Sequence, residues 1–553
     1  MNRRLKKQLF FLLFSVLATT GYPQTDTTGS RLYLFADRDY CVSGDTVWFK
    51  VAVKNEEKQK SNIVHVQLTN AENRLISEVI KKSENGWAEG FLYVPDSLSS
   101  GVCFLSAFLY EHSTIPGFTL VKKTVFVYNR FHKGLTEQEV PSEAQKVQTI
   151  DLPVSVRPDK KVYRPREKVS VILGLEAIDA AEVSHVVARV HLRDEIAAKA
   201  GGHFYTEIVP QKTAVRGFKE KDGFIVSGKV TDRATGTAGE NVVVLLSLIN
   251  DPQYLDYCVS DSEGSFQFFL KNAVGEGEIV LQAVARHENE WNVEPGNNQL
   301  NVKAPVILKK RQLTKQQSQF IDEIIDGAFF EKLFAESYSV KSLEFSMPRR
   351  FEMPVYGYPY KRVVPGEFFD LQDFRQISRE LLPGVQYRVR GDKTTLRLVD
   401  INNKVYLKNE PFILVNGIPV FNNRHLSPLG STDIDHIEYV LEDRLFGDLR
   451  FNGVLAVYLK DESNTWLSRH PRFSRFSIPF LQPGRNPSGL KRKSEAGNLP
   501  DLRTVYFWQL MQPGEPKQIE FFLSDRKGLV EISVEGVTKN GEVFKISETI
   551  EVK

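Results

Sequence analysis

Hydrophobic and polar positions alternate along most of this chain. In residues 31–130 the runs RLYLFADRDY, TVWFKVAV, NIVHVQLTN, RLISEVIKK, WAEGFLYVP and GVCFLSAFLY each change character every second residue. Turn residues, among them Ser43-Gly44-Asp45, separate the runs at intervals of about ten positions, which predicts an antiparallel β-sandwich. The pattern recurs in PVSVRPDKKVYRPREKVSVILGLE, so a second sandwich is expected over 148–215. Between the two, HKGLTEQEVPSEAQKVQ is polar and reads as a linker.

A third unit is expected over 223–304, where GFIVSGKVTDRATGTAGENVVVLLSL and DYCVSDSEGSFQFFL alternate around Gly/Thr and Asp261–Gly264 turns. The period then changes. Phe320, Ile321, Ile324, Ile325, Ala328 and Phe329 fall on one helical face, which predicts a linker helix over 312–338 that packs this face on a neighbouring domain. Thr314 and Gln317 have capping-box spacing at its start. A membrane-surface helix would carry more flanking charge than Lys315 and Lys332.

Residues 350–462 mix both periods. A helix is expected to end at Leu382-Pro383-Gly384, followed by two strands around Gly391-Asp392. PFILVNGIPV reads as two strands joined by a turn at Asn416-Gly417, and FNGVLAVYLK as a further strand. In DIDHIEYVLED, a solvated helix face accounts for Asp435, Glu438, Glu442 and Asp443, with a calcium site as the alternative. Residues 463–500 contain five prolines, and Lys and Arg far outnumber the acids there; they read as a basic linker. Alternation returns in the C-terminal β-strands, 501–553.

Composition narrows the class. The 553 residues imply several domains, and 41% hydrophobic with 25% charged residues is ordinary for folded domains. A net charge of +3 does not suggest nucleic acid as a partner. The 37 Phe and 19 Tyr against 4 Met suit pleated surfaces. Residues 1–24 read as a signal peptide: basic MNRRLKKQ, apolar LFFLLFSVLA, then small residues. No Cys lies near the cleavage boundary, so no lipid anchor is expected, and no later run is long enough for a transmembrane helix. The three cysteines, Cys41, Cys103 and Cys258, make no disulfide framework. Cys41 and Cys103 could pair in an oxidising compartment, but Cys103 in its alternating run reads as a buried core residue.

Several stretches resemble known families. Asp39-Tyr40, Gly44-Asp45, TVWFKV, Pro95 and Gly101 resemble a macroglobulin-type sandwich, and Lys161, Tyr163, Pro165, Glu167 and Val169 repeat that pattern loosely. Gly228, Val230, Asp232, Asp261, Gly264 and Phe266 resemble the carboxypeptidase regulatory-like domain, a transthyretin-like fold without peptidase chemistry. Pro383-Gly384, Asn416-Gly417, Asp433-Ile434, Ile437-Glu438 and Asn452-Gly453 resemble, in order, the motifs of the TonB-dependent receptor plug. Asn416 stands where that family usually has Asp, and Leu459 where it has Thr. The expected fold class is therefore mainly β: tandem Ig-like/macroglobulin-like and transthyretin-like sandwiches, plus a small α+β plug-like domain.

A transporter barrel of this class needs about 22 strands of roughly ten residues. Only 93 residues follow Lys460, so the plug resemblance implies a module used without a barrel. There is no His-Glu-x-x-His, no Gly-x-Ser-x-Gly, no P-loop and no Cys-Gly-Glu-Gln thioester. HENE at 287–290 has the spacing of one zinc motif but no catalytic domain around it. No catalytic residue, metal or cofactor is expected, and the plug-like motif residues are expected to be structural. The expected function is a non-enzymatic exported interaction or scaffold protein, in the periplasm or at the outer-membrane periphery of a Gram-negative cell. Its partner would be an envelope protein, and no nucleic acid. The alternative is an accessory that docks its plug-like domain on an outer-membrane barrel; TDTTGSRLYLF offers no TonB-contacting motif to support direct energisation.

Overall fold

The computed structural model describes residues 31–54, 63–109, 118–142, 149–175, 183–200, 204–209, 220, 223–249, 251–271, 273–284, 291–296, 307–333, 353–368, 370–391, 393–460, 466, 473–483, 500–512 and 517–553. The expected signal peptide and the HENE pair lie outside these residues. The molecule is mainly β, built from tandem β-sandwiches with one smaller α+β unit.

The first sandwich uses β1 (Arg31–Ala36), β2 (Tyr40–Val42), β3 (Thr46–Lys54), β4 (Ile63–Asn70), β5 (Leu75–Lys82), β6 (Trp87–Tyr93), β7 (Gly101–Leu109) and β8 (Phe118–Tyr128). One sheet runs β1-β3-β6; the other runs β8-β7-β4-β5, with β2 parallel to the end of β8. Period-two alternation points Val47, Phe49 and Val51 of β3 into the core opposite Val64, Val66 and Leu68 of β4. Cys41 and Cys103 are buried there as free thiols, and burial pushes the Cys103 thiol up to about 12.

Beyond it come β9 (Glu137–Pro141), β10 (Ser155–Pro158), β11 (Val162–Tyr163), β12 (Lys168–Gly174), β13 (Val183–Leu192) and β14 (Phe204–Val209). A third sandwich holds β15 (Gly223–Asp232), β16 (Val243–Leu248), β17 (Asp251–Val259), β18 (Ser265–Lys271), β19 (Glu276–Ala283) and β20 (Trp291–Pro295). Strand β21 (Leu308–Gln312) leads into a helix, Lys315–Leu333. The α+β unit follows with β22 (Lys361–Val363), a helix Phe374–Leu381, β23 (Val385–Arg390), β24 (Lys393–Asp400), β25 (Val405–Tyr406), β26 (Phe412–Val415), β27 (Ile418–Pro419), β28 (Ile434–Phe446) and β29 (Leu449–Leu459). Then come β30 (Ser474–Pro479), β31 (Val505–Met511), β32 (Lys517–Phe522), β33 (Gly528–Thr538) and β34 (Val543–Val552).

Pairing across long sequence distances changes the division expected from the sequence. The stretches 148–215 and 501–553 do not form separate units. Strands β10-β12-β32 make one sheet and β11-β34-β33-β13-β31 the other, around a shared core of Val169, Val171, Val190, Ile532, Val534 and Ile550. The third sandwich and the α+β unit are thus inserted between β13 and β31 of the second sandwich. Strand β14, expected in the second sandwich, instead extends the first through β8, Phe204 pairing with Lys123. The polar stretch expected as a linker contributes β9, which pairs with β21. The 463–500 stretch is not wholly a linker either: β30 pairs with β19, and Phe480 and Leu481 are buried in the third sandwich's core. Alternation reports which face of a strand is buried and carries no information about which distant strand lies beside it.

The helix expected over 312–338 runs Lys315–Leu333 and is capped reciprocally. Thr314 N–H donates to Gln317 Oε1 (3.0 Å), and Gln317 N–H donates to Thr314 Oγ1 (3.2 Å). Ile321, Ile324 and Ile325 are buried in the apolar cluster shared by the first and second sandwiches, each contributing roughly 1.5–3 kcal/mol of apolar burial. Phe329 and Phe330 are exposed.

Candidate functional site

The fold places the motif residues singled out in the α+β unit around two ends of one sheet, β22-β28-β29-β26-β27. At one end, Asn416 and Gly417 have φ of 48° and 79°, the pair of positive values that a two-residue type I′ hairpin turn requires. The Asn416 side chain also accepts from Leu459 N–H (2.7 Å), tying the turn to the end of β29. Asp433 lies beside it: its carboxylate accepts from Gly430 N–H (2.9 Å) and its C=O accepts from Lys460 N–H (2.9 Å).

At the other end, Pro383-Gly384 stops the helix Phe374–Leu381, which Asp373 caps by accepting from Gln376 N–H (2.8 Å). Asn452 joins Asp443 and Asn409 through its amide. Gly453, at φ 82°, lets β24 close on the sheet, because a Cβ there would lie 2.5 Å from Leu398 and 2.8 Å from the Val440 carbonyl. The DIDHIEYVLED segment is strand β28, not a helix. Its partner β29 supplies a matching alternation, and the β-rich IEYVL core outweighs the acidic residues that suggested a solvated helix face.

Glu438 sits between these ends and accepts from the Tyr356 hydroxyl (2.6 Å), while Tyr356 meets the Tyr458 hydroxyl at 2.9 Å and His436 stacks on Tyr458. Burial pushes both phenols up, so at neutral pH they hold their protons and act as hydrogen-bonding groups. Among the described residues, no group of three or more His, Cys, Asp or Glu side chains could hold a metal ion, and no helix is long and apolar enough to cross a membrane.

The module junctions hold most of the buried chemistry. Between the first and second sandwiches lies a charge network. Arg189 donates to Asp39 Oδ1 (3.1 Å), the Ala36 carbonyl (3.3 Å) and Glu535 Oε1 (3.2 Å). Lys123 meets Asp39 at 3.0 Å, and Lys545 meets both Glu531 and Glu535 at 3.2 Å. Three cations face three carboxylates. Burial opposes ionisation of Asp39 and Glu535, yet the cations outweigh it: Arg189 and Lys123 hold Asp39 well below the usual range, and Lys545 and Arg189 bring Glu535 down to about 2. Burial, aided by Arg189, brings His191 down to about 4 and keeps it neutral. Sequence reasoning did not find Arg189, although a charged residue at an inward position of VVARVHL was the available signal.

A second polar junction joins the first and third sandwiches. His65 Nε2 lies 2.8 Å from Glu220, and Glu220 also accepts from Ile225 N–H (2.8 Å). Burial opposes the imidazolium, but Glu220 outweighs it and holds His65 up at about 9. By contrast, the third sandwich and the α+β unit meet through apolar side chains. Leu245 and Leu255 pack against Leu414, Val440, Val454 and Ala456. The other face of the α+β sheet is covered by the helix Phe374–Leu381 and by β23 and β24, so neither face is left open.

The open features are sheet edges. The chain itself covers two of them with sequence-distant strands, β14 on β8 and β30 on β19. Gln482 covers two at once. Its N–H donates to the Ile80 carbonyl of β5 (2.8 Å), and its side-chain amide makes both bonds to the Phe91 backbone of β6 (3.0 and 2.8 Å). N-terminal to that point, β5 and β30 diverge around a groove of about 570 Å³.

No family model matches this chain, and no curated protein matches it. Among solved structures, native Escherichia coli alpha-2-macroglobulin is similar at 8% identity, over 97% of this chain and 40% of that one, with a TM-score of 0.23. Salmonella alpha-2-macroglobulin reacted with methylamine is similar at 10% identity, over 95% of this chain and 39% of that one, with a TM-score of 0.23. The Yersinia pseudotuberculosis adhesin InvE is similar at 11% identity, over 68% and 77%, with a TM-score of 0.14. TM-scores this low describe no shared overall arrangement, and the chain spans about two fifths of the length of the macroglobulin structures it matches.

Proposed function

We propose that this chain is a non-enzymatic, exported cell-envelope protein of the periplasm or outer-membrane periphery that serves as an interaction scaffold. In this reading the first two sandwiches are macroglobulin-like and the third is carboxypeptidase regulatory-like. The 350–462 unit is a plug-like module. The partner is another envelope protein, bound by strand addition at sheet edges. One observation carries the reading: β14 and β30 come from distant sequence and complete sheets that are not their own. Edges of these sandwiches therefore accept an added strand.

The alternative, docking of the plug-like module on an outer-membrane barrel, has less support, because both faces of its sheet are already covered within the chain. The test is crosslinking of the tagged full chain in intact envelopes, with mapping of crosslinked residues. Crosslinks concentrated on sandwich edges support the scaffold reading. Crosslinks from 353–460 to a barrel protein favour the alternative, and turnover of a substrate by the purified chain would overturn both.

A further inference from the structure

We propose that the groove between β5 and β30 binds an extended peptide strand with alternating apolar side chains, inserted as the missing strand between these two edges. This rests on the strand-addition reading above and assigns it a place. The groove lies between an edge of the first sandwich and an edge of the third. Its walls are Leu75 to Glu78 of β5 and Arg475 to Pro479 of β30, and Phe224, Val226 and Pro295 add apolar surface.

The hydrogen-bonding groups point the right way. In the β4–β5 ladder, Ile80 directs its carbonyl away from β4 to Gln482 N–H. Alternate residues of a strand share a direction, so the Glu78 N–H and C=O also point away from β4 into the groove. On the other wall, Glu278 directs its carbonyl to Ile249 N–H on the far side of β19. The β19 groups bonded to β30 are therefore those of Gly277 and Ile279, which pair with Ile478 and Phe476. The Ser477 N–H and C=O consequently point away from β19. Each wall thus presents a backbone donor and acceptor with no partner among the described residues.

The groove also continues an interface that already exists. At its closed end Leu481 bridges Ile80 in a parallel sense, and Gln482 bonds to the same edge. An extended segment of this chain therefore occupies the first position of the row, with Leu481 buried in the third sandwich's core. A peptide that runs antiparallel to either wall pairs with it in the better-bonded arrangement. Period two in the guest places every second side chain toward Phe224, Val226 and Phe476. The occupant that fits is a strand-forming peptide, since a helix satisfies its own backbone and leaves both walls unpaired.

The test pans the full chain against a phage-displayed library of random peptides about ten residues long, the upper length of ordinary strands. Selected peptides are then mapped by amide hydrogen exchange. The expected peptides alternate apolar and polar residues, and they protect Glu78 and Ser477. Ser477→Pro removes the groove donor without touching the β19 ladder and is expected to weaken these peptides about tenfold. Ser477→Ala, which keeps the backbone donor, is expected to leave binding within about threefold, the scatter of a neutral surface change. Equal binding by Ser477→Pro with an unchanged melting curve would overturn the groove assignment. Protection only at other edges, such as β10 or β32, would overturn the groove while sparing strand addition. Absence of protection at every edge would overturn both.

Discussion

Two junctions in this molecule differ in what they bury beside their apolar side chains. The first and second sandwiches meet through mixed apolar clusters, with Phe35 and Ala52 against Val187 and Trp508, and bury among them the ion network around Arg189, whose side chain is only 2% exposed. The third sandwich and the α+β unit meet through Leu245, Leu255, Leu414, Val440 and Val454. Apolar contact is non-directional and tolerates small sliding, whereas a buried guanidinium is satisfied only when Asp39, the Ala36 carbonyl and Glu535 all stand in place. Desolvation consumes much of the coulombic gain in such a network, so its contribution is mainly to fix one relative placement. The polar junction joins units that are consecutive in the chain. The apolar one lies wholly within the inserted segment, where both flanks are already tethered to the second sandwich.

The largest expected effect breaks the polar side. Arg189→Ala leaves Asp39 and Glu535 buried without their principal cation and should cost about 3–5 kcal/mol. Denaturant unfolding followed by the fluorescence of Trp508, in the neighbouring apolar cluster, reads this directly; a loss under about 1 kcal/mol would mean the network is solvated. The same junction should weaken in acid. Glu535 and Asp39 are held low, so their contribution is present above the ordinary carboxylate range and is lost as pH falls toward about 2. His191 adds to this as pH falls below its ordinary value of 6.5 toward about 4.

On the apolar side, Leu414→Ala removes a nearly fully buried side chain and should cost about 2–4 kcal/mol, with the same loss at pH 5 and pH 9. A strongly pH-dependent loss would erase the contrast between the junctions. His65 sharpens it from the alkaline direction. Its folded value lies near 9 against an ordinary 6.5, so its contribution is complete below about pH 6.5 and is lost as pH rises through 9. The span is on the order of 3 kcal/mol. A melting-temperature series from pH 6 to 10 should flatten in His65→Gln, and an unchanged slope would remove the ion pair from the account.

The smallest effect tests a local element. Gly417→Val forces a β-branched residue to φ near 79° and should cost about 1–3 kcal/mol in the α+β unit. Hydrogen exchange at Leu459, whose N–H the neighbouring Asn416 side chain accepts, reports whether the turn has opened.

Much of the local structure was legible in the sequence because it rests on short-range rules. The Thr314–Gln317 box, the helix stop at Pro383-Gly384 and the Asn416-Gly417 turn are written in residues a few positions apart. Alternation likewise carried the mainly β class. Charge spacing misled at DIDHIEYVLED, where closely spaced acids suggested a helix and the pairing of β28 with β29 decided for a strand. Alternation was silent on Arg189 meeting Asp39 and on His65 meeting Glu220, because nothing local to either member specifies its partner.

By itself the sequence determined the elements: strands from period two, one long helix from its apolar face and cap, and turns from Gly, Asn and Pro. The tertiary structure alone decided how they combine. A strand needs hydrogen-bonding neighbours, and those neighbours can be supplied from any distance once loops close, since loop-closure entropy grows only slowly with length. That is how β32 came to complete the sheet of β12, how β30 came to complete that of β19, and how two sheet edges were left facing each other across a groove.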